Sequence, residues 1–176
     1  MRLTIVLALA LTALAGPACA DETAALHATA EGFYTVYGSF HPSDGIPDDA
    51  GRARYRPFLS PRLDALLAQA ADAEKRFGLA NKDSPPLVEG DLFTSLFEGA
   101  TQITVGACAA NGQTGRCTAV LTYASAGNKP TQWSDTVYLV NTPAGWRVDD
   151  IGYGGSWDFG NKGKLSETLN QVIHFQ

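Results

Sequence analysis

Four stretches in the second half of the chain alternate between apolar and polar residues, and they constrain the fold more than any other feature. They follow Gly99 and read TQITVGACA, RCTAVLTYAS, TQWSDTVYLVN and GWRVDDIGY. Such alternation places successive side chains on opposite faces of a strand. The connections between them are short and rich in Gly, Asn and Pro, which favours hairpins. We therefore predict a four-stranded antiparallel meander.

The first half of the chain has helical periodicity instead. Residues 22–40 carry apolar side chains every three to four positions, which predicts an amphipathic helix. HPSDGIPDDAG then predicts a surface loop. Ser60 followed by Pro61 is typical of a helix start, and the apolar face that follows extends to Gly78.

The tail GKLSETLNQVIHF predicts a closing helix, because four apolar residues share one face: Leu165, Leu169, Val172 and Ile173. Helices followed by an antiparallel sheet indicate the α+β class. We expect N-terminal helices packed on the sheet and a C-terminal helix beside it.

The first twenty residues resemble a secretory signal peptide. Met1-Arg2 precedes an apolar run to Ala15, and Ala18-Cys19-Ala20 has the A-x-A form of a cleavage site. Cleavage near Ala20 would leave about 156 residues, the usual length of one domain, over 21–176. The alternative of a lipid anchor on Cys19 lacks the large aliphatic residue expected three places before it. We predict a periplasmic or secreted protein.

Charge and hydropathy argue against two classes of partner, nucleic acid and the interior of a membrane. The sequence has 13 Lys and Arg against 18 Asp and Glu, a net charge of −5, which becomes −6 when Arg2 is removed. An acidic chain is a poor match for nucleic acid. No segment after residue 20 is apolar over the length that spans a bilayer. The basic stretch GRARYRPFLSPR is either a salt-bridged helix start or a patch for an anionic partner, through Arg52, Arg54, Arg56 and Arg62.

Cys108 and Cys117 remain after cleavage and are expected to form a disulfide. If Gly112-Gln113 is the two-residue loop of a type II′ hairpin, Cys108 lies directly opposite Cys117. A type I′ loop at Asn111-Gly112 would place Cys108 opposite Gly115 and force a diagonal bridge. The first register fits better, and its disulfide would be structural.

Four blocks resemble a known bacterial family: FLSPRLDALL, GDLFTSLFEGAT, WSDTVYLV and GWRVDDIGYGGSWDFGNKGKLSETL. In this order, from about Tyr55 to Leu169, they look like the exported family named domain of unknown function 3828 (DUF3828). The resemblance implies a nuclear transport factor 2-like (NTF2-like), cystatin-like cone of helices against a curved sheet. It implies no reaction and no catalytic residues.

Candidate acids lie in the last two strands. In WRVDDI, Trp146 and Asp150 share one face, so Asp150 points into the cone if helices cover that face; a bulge near Gly152 would instead turn Asp149 inward. A buried carboxyl has a raised pKa and suits acid–base chemistry, but Asp150 would equally hold loop amides.

Further candidates would complete such a site inside the cone. Asp135 shares a face with Trp133 and Val137, and with Asp150 and either Tyr34 or Tyr37 it would form an Asp and Tyr grouping of the kind seen in NTF2-like isomerases and dehydratases. Asp91 is expected to cap the segment LFTSLFEG.

No metal or cofactor is predicted. The three histidines are widely spaced and fit neither a metal site nor a triad: His27, His41 and His174. Phosphate-binding, dinucleotide and hydrolase motifs are absent from the sequence.

Three aromatic residues stand in the glycine-rich segment that follows the last strand. Tyr153, Trp157 and Phe159 would either plug the end of the core or anchor a partner protein.

Three hypotheses of function follow. The leading one is an exported, non-enzymatic protein-binding domain, inhibitor- or immunity-like, which engages another envelope or secreted protein through the sheet face or the loop from Tyr153 to Lys162. The alternative is a cone for a small apolar molecule, acting as a carrier or as a cofactor-free isomerase or lyase. A third hypothesis is a structural role in the cell envelope.

Overall fold

The computed structural model describes residues 17–39 and 45–175, with only the backbone for 17–20. Its sheet has four antiparallel strands in the order β1-β2-β3-β4, which confirms the predicted meander. The strands are β1 (Gln102–Asn111), β2 (Thr114–Tyr123), β3 (Thr131–Thr142) and β4 (Gly145–Gly152). Residues 1–16 lie outside the described residues, and with them most of the predicted signal peptide.

The helices precede and follow the sheet, so the fold is α+β with a curved sheet, as predicted. They are α1 (Pro17–Ser39), α2 (Asp49–Tyr55), α3 (Pro61–Ala80) and α4 (Leu165–Ile173), with a short 3-10 turn at Arg56–Phe58. No helix within the described ranges is long and apolar enough to cross a membrane.

Helix starts follow local capping chemistry. The Ser60 hydroxyl accepts the N–H of Leu63 at 3.0 Å, and Pro61 occupies the first turn of α3, as predicted. The predicted loop before it was extended too far, because α2 begins at Asp49. Asp48 caps that helix by accepting the N–H of Gly51 at 2.8 Å, and it satisfies a donor that the helix itself leaves free.

The centre of the molecule is filled by aromatic rings. Phe33 on α1 lies 5.2 Å from Tyr55 and 5.3 Å from Phe93 between ring centroids, and Tyr55 lies 4.8 Å from Phe93. All three side chains are fully buried. Since α1 packs along β1, these rings occupy the space between the helices and the sheet.

A bulge in β4 changes which side chains face the core. Tyr138 pairs with Asp150 and Leu139 pairs with Val148, so Asp149 is an extra residue on that strand. After the bulge, Ile151 is the residue whose side chain faces the core, and it pairs with the buried Val137.

The cysteine prediction is confirmed in detail. Cys108 pairs with Cys117 across β1 and β2, their sulfur atoms are bonded, and Asn111 faces Thr114. Gly112 has φ of +60° and no described non-glycine residue has a positive φ, so the loop fits type II′ and excludes type I′.

Candidate functional site

Asp135 lies at the centre of a hydrogen-bond network between two loops. It is 1% exposed. Its Oδ2 accepts the N–H of Ser95 at 2.9 Å and the indole N–H of Trp133 at 3.3 Å, and its Oδ1 accepts the N–H of Gly154 at 2.8 Å. The Ser95 hydroxyl donates to the same carboxyl group. Asp135 therefore joins two loops, residues 91–99 and residues 153–163. We call them the two braced loops.

Further contacts tie the braced loops together. The Asn161 side chain donates to the carbonyls of Asp91 and Thr94, both at 2.7 Å, and its main-chain N–H donates to Ser95 at 2.8 Å. The Tyr153 hydroxyl donates to the carbonyl of Leu92 at 2.7 Å. These partners satisfy several backbone polar groups of the two loops, which favours a single rigid conformation.

Asp91 shapes the first braced loop. Its Oδ1 accepts the N–H of Phe93 at 2.8 Å and of Thr94 at 2.7 Å, a turn closed by an aspartate side chain. The predicted cap is thus present, but the segment it caps forms bends and turns and not a helix. Burial raises the pKa of Asp91 to about 6, against hydrogen bonds, first of all from the Tyr37 hydroxyl, that lower it.

The predicted Asp and Tyr grouping is present in altered form. Asp91 and Asp135 are the neighbouring acids that raise the pKa of Tyr34, after the larger effect of burial. The Tyr37 hydroxyl accepts the N–H of Ala100 at 2.9 Å, and burial raises the pKa of Tyr37 well above its ordinary value. Tyr34 Oη is buried with no hydrogen-bond partner among the described residues. Asp91, which the sequence analysis treated as a cap, takes the place expected for Asp150.

Asp150 does not lie on the core face of the sheet, contrary to the placement expected without a bulge. It pairs with Tyr138, whose strand neighbours Val137 and Leu139 face the core, so Asp150 is on the opposite face. The bulge at Asp149 reverses the alternation. Asp150 accepts the N–H of Ser166 at 3.0 Å and its hydroxyl at 2.6 Å, and so holds the first turn of α4.

Asp149 holds the start of α3. Its carboxyl accepts the Ser60 hydroxyl at 2.5 Å and the Arg62 Nη2 at 2.8 Å. Burial alone would raise the pKa of Asp149, but the hydrogen bonds from Arg62 and Ser60 and the charge of Arg62 lower it below its ordinary value. Both acids of the Asp149-Asp150 pair therefore anchor helix starts.

The three aromatic candidates differ in exposure. Trp157 is half-buried and packs edge-to-face against Trp133, with ring centroids 5.1 Å apart. Tyr153 is also half-buried, and its hydroxyl donates to the carbonyl of Leu92. Phe159 is 64% exposed. The first braced loop carries a second exposed ring that the sequence analysis missed, Phe97 at 42%.

The remaining candidates have local partners. Arg52 pairs with Asp49 and Asp64, Arg56 pairs with Asp64, and Arg62 pairs with Asp149, which agrees with the salt-bridged alternative for this basic stretch. Arg54 also interacts with another group of the protein.

The two described histidines lie in different parts of the fold. His27 contacts the carbonyl of Val105 at 3.0 Å through Nε2, and His174 caps α4; His41 lies outside the described residues. In the part of the chain that the structure describes, no three potential metal ligands of the His, Cys, Asp or Glu type cluster together.

A groove lies between α1 and β1. It has a volume of about 590 Å³, and Tyr34 and Tyr37 line it with residues 100–105. The groove therefore lies against two tyrosines whose side chains are buried.

Comparison with known proteins finds no match to this chain among protein-family models, curated proteins or solved structures. The resemblance to the DUF3828 family and its NTF2-like fold stays a prediction.

Proposed function

We propose that this chain is a non-enzymatic protein-binding domain that engages another protein through the tips of the two braced loops. The observation that carries the proposal is the exposure of Phe159 and Phe97 on loops whose own backbone is held by buried and partly buried hydrogen bonds. Aromatic side chains are enriched among residues that dominate binding energy. A rigid scaffold lowers the entropy lost when they bind.

Under this proposal the three aromatic candidates have different roles, one in contact with the partner and two in support of the loop. Phe159 is the contact residue, and Phe97 joins it from the other loop. Trp157 and Tyr153 are supports, because they pack against Trp133 and bond to Leu92. A substitution of Trp157 would disturb the loop itself and is a poor test of contact.

The disulfide supports an envelope or secreted partner. The Cys108–Cys117 disulfide is compatible with an extracytoplasmic location, where such bonds persist. We propose an exported protein, inhibitor- or immunity-like, whose signal peptide is removed near Ala20.

The test is affinity capture with the oxidised chain from Asp21 to Gln176, followed by titration with the purified partner. Phe159→Ala and Phe97→Ala should each weaken that affinity about tenfold or more. Leu79→Ala removes an equally exposed apolar residue, 68% exposed on α3, and should change the affinity less than about twofold. If all three variants weakened the affinity equally, or if none of them weakened it, the braced loops would be rejected as the binding surface.

Small-molecule binding is the second candidate function. The observation favouring it is the groove of about 590 Å³ beside Tyr34 and Tyr37, behind which Asp91 has a pKa of about 6. A carrier or a cofactor-free isomerase or lyase would use these residues in place of Asp150. A thermal-shift screen should find a compound whose stabilisation is lost in Tyr34→Phe; without such a compound this candidate fails.

A further inference from the structure

The outer face of the sheet carries a one-sided distribution of charge. The four strands contain five charged side chains: Arg116, Asp135, Arg147, Asp149 and Asp150. Asp135 is buried on the core side, and Asp149 pairs with Arg62. Asp150 lies on the outer face but is buried, with its carboxyl bonded to Ser166 and 3.9 Å from Arg62 Nη2. The charges of the strands that reach solvent on this face without an ion-pair partner are therefore the two arginines.

Tyr138 is the centre of this basic face. Arg116 is its cross-strand neighbour on β2, and the alternation with the buried Cys117 turns Arg116 outward, where it is exposed. Lys164 Nζ lies 4.7 Å from the centroid of the Tyr138 ring. The ring lies across Gly152, where a Cβ atom would come within 3.0 Å of it. Two cations thus flank one half-buried phenol.

Shallow hollows flank the Arg116–Tyr138 pair on both sides. Their volumes are about 400 and 370 Å³. Apart from Arg116 and Tyr138, they are lined by small or uncharged side chains of the Ala, Gly, Thr, Cys and Asn types. Small side chains leave room for the backbone of an extended chain to approach the sheet.

The cations of this face have no ion-pair partner among the described residues, which holds for Arg116, Arg147 and Lys164. Arg147 donates to the carbonyl of Trp146, and Glu167 accepts the main-chain N–H of Lys164. Three cations against two carboxylates, Glu167 and the buried Asp150, make the face basic in a chain whose net charge is −5.

We propose that this basic face binds an acidic, extended segment of a partner protein, with its carboxylates at Arg116 and Lys164 and its backbone along the hollows. Complementary charge would speed association and select the partner, and salt would weaken the complex. The proposal does not depend on binding at the braced loops.

The test is a titration of the oxidised, ¹⁵N-labelled chain with a blocked hexa-glutamate peptide, followed by amide chemical shifts. We expect shifts centred on Arg116, Thr118, Tyr138 and Lys164, which disappear at about 0.5 M salt. The same peptide with Gln in place of Glu should cause none. Arg116→Gln and Lys164→Gln should each weaken binding up to about fivefold, and Lys75→Gln, an exposed cation on α3, should not.

Three outcomes would overturn the proposal. Shifts spread evenly over the other exposed cations, such as Lys75 and Lys82, would indicate nonspecific attraction. Equal shifts with inorganic phosphate at the same concentration would indicate a site for small anions. Equal affinities of the Arg116 and Lys75 variants, with native spectra for both, would remove Arg116 from the site.

Discussion

Asp135 on β3 accepts the main-chain N–H of Ser95 at 2.9 Å, a contact between residues forty positions apart in the sequence. The same carboxyl accepts the N–H of Gly154, which lies beyond the end of β4. One buried acceptor thus holds two loops, which the hydrogen bonds of Asn161 and Tyr153 also tie together. Its position on a central strand makes the exposed tips of these loops part of a rigid unit.

Asp135→Asn should destabilise the fold by about 2–4 kcal/mol in urea denaturation, because an amide offers one acceptor oxygen where the carboxyl group offers two. The N–H groups of Ser95 and Gly154 cannot both keep their partner. Amide hydrogen exchange should show loss of protection in the two braced loops before the rest of the sheet.

Ser134→Ala is the matched control, since Ser134 precedes Asp135 on the same strand but is exposed on the outer face. It should change the free energy of unfolding by less than about 0.5 kcal/mol. A similar small change for Asp135→Asn would contradict the structural role of the network.

Asp91 should make the fold less stable as pH rises. Burial raises the pKa of Asp91 from 3.8 to about 6, so the folded chain holds the proton more tightly than the unfolded chain. The resulting stabilisation is complete below about pH 4 and is lost as pH rises through about 6, an effect of about 3 kcal/mol. Asp91→Asn should remove this dependence from urea unfolding measured between about pH 4 and pH 7.

Tyr37→Phe is the companion to the Asp91 variant. The Tyr37 hydroxyl lowers the pKa of Asp91, so its removal should move the midpoint of the pH dependence upward. A midpoint that stays in place, or moves down, would show that the two side chains are not coupled.

Asp149 should act in the opposite direction. Its pKa is lowered below the ordinary 3.8 by Arg62 and Ser60, so the unfolded chain binds its proton more readily. The stabilisation is present above about pH 4 and is lost as pH falls through the lowered pKa. Arg62→Gln should return the pKa of Asp149 toward its ordinary value in a ¹³C NMR titration and cost about 1 kcal/mol. Arg76→Gln, on the exposed side of the same helix, should leave the Asp149 titration unchanged.

The sheet and its helices were predictable from the sequence because they depend on local periodicity. Gly112 determines the hairpin type, and the hairpin type determines that Cys108 faces Cys117. The buried face of α4, with Leu165, Leu169 and Val172, likewise follows from helical spacing.

The candidate site was harder to predict because it depends on contacts between distant segments. Alternation in WRVDDI cannot reveal the extra residue at Asp149, whose side chain bonds to Ser60 and Arg62, nearly ninety positions earlier in the sequence. Asn161 bonding to Asp91 and Thr94 has no local signature at all. Phe97 was missed because the segment around it was expected to be helical.

The Cys108–Cys117 disulfide should stabilise the fold by about 2–3 kcal/mol, because it closes a hairpin loop in the unfolded chain. Cys108→Ala with Cys117→Ala should keep the fold, since the register is also set by the Gly112 turn and by the pairs from Asn111 to Ala109. Urea unfolding with and without reductant is the measurement. Reductant should lower the midpoint for the natural chain and leave it unchanged for the double variant. Unfolding of the double variant without urea would show that the hairpin depends on the bond, and an equal midpoint for both proteins would show that the bond contributes nothing.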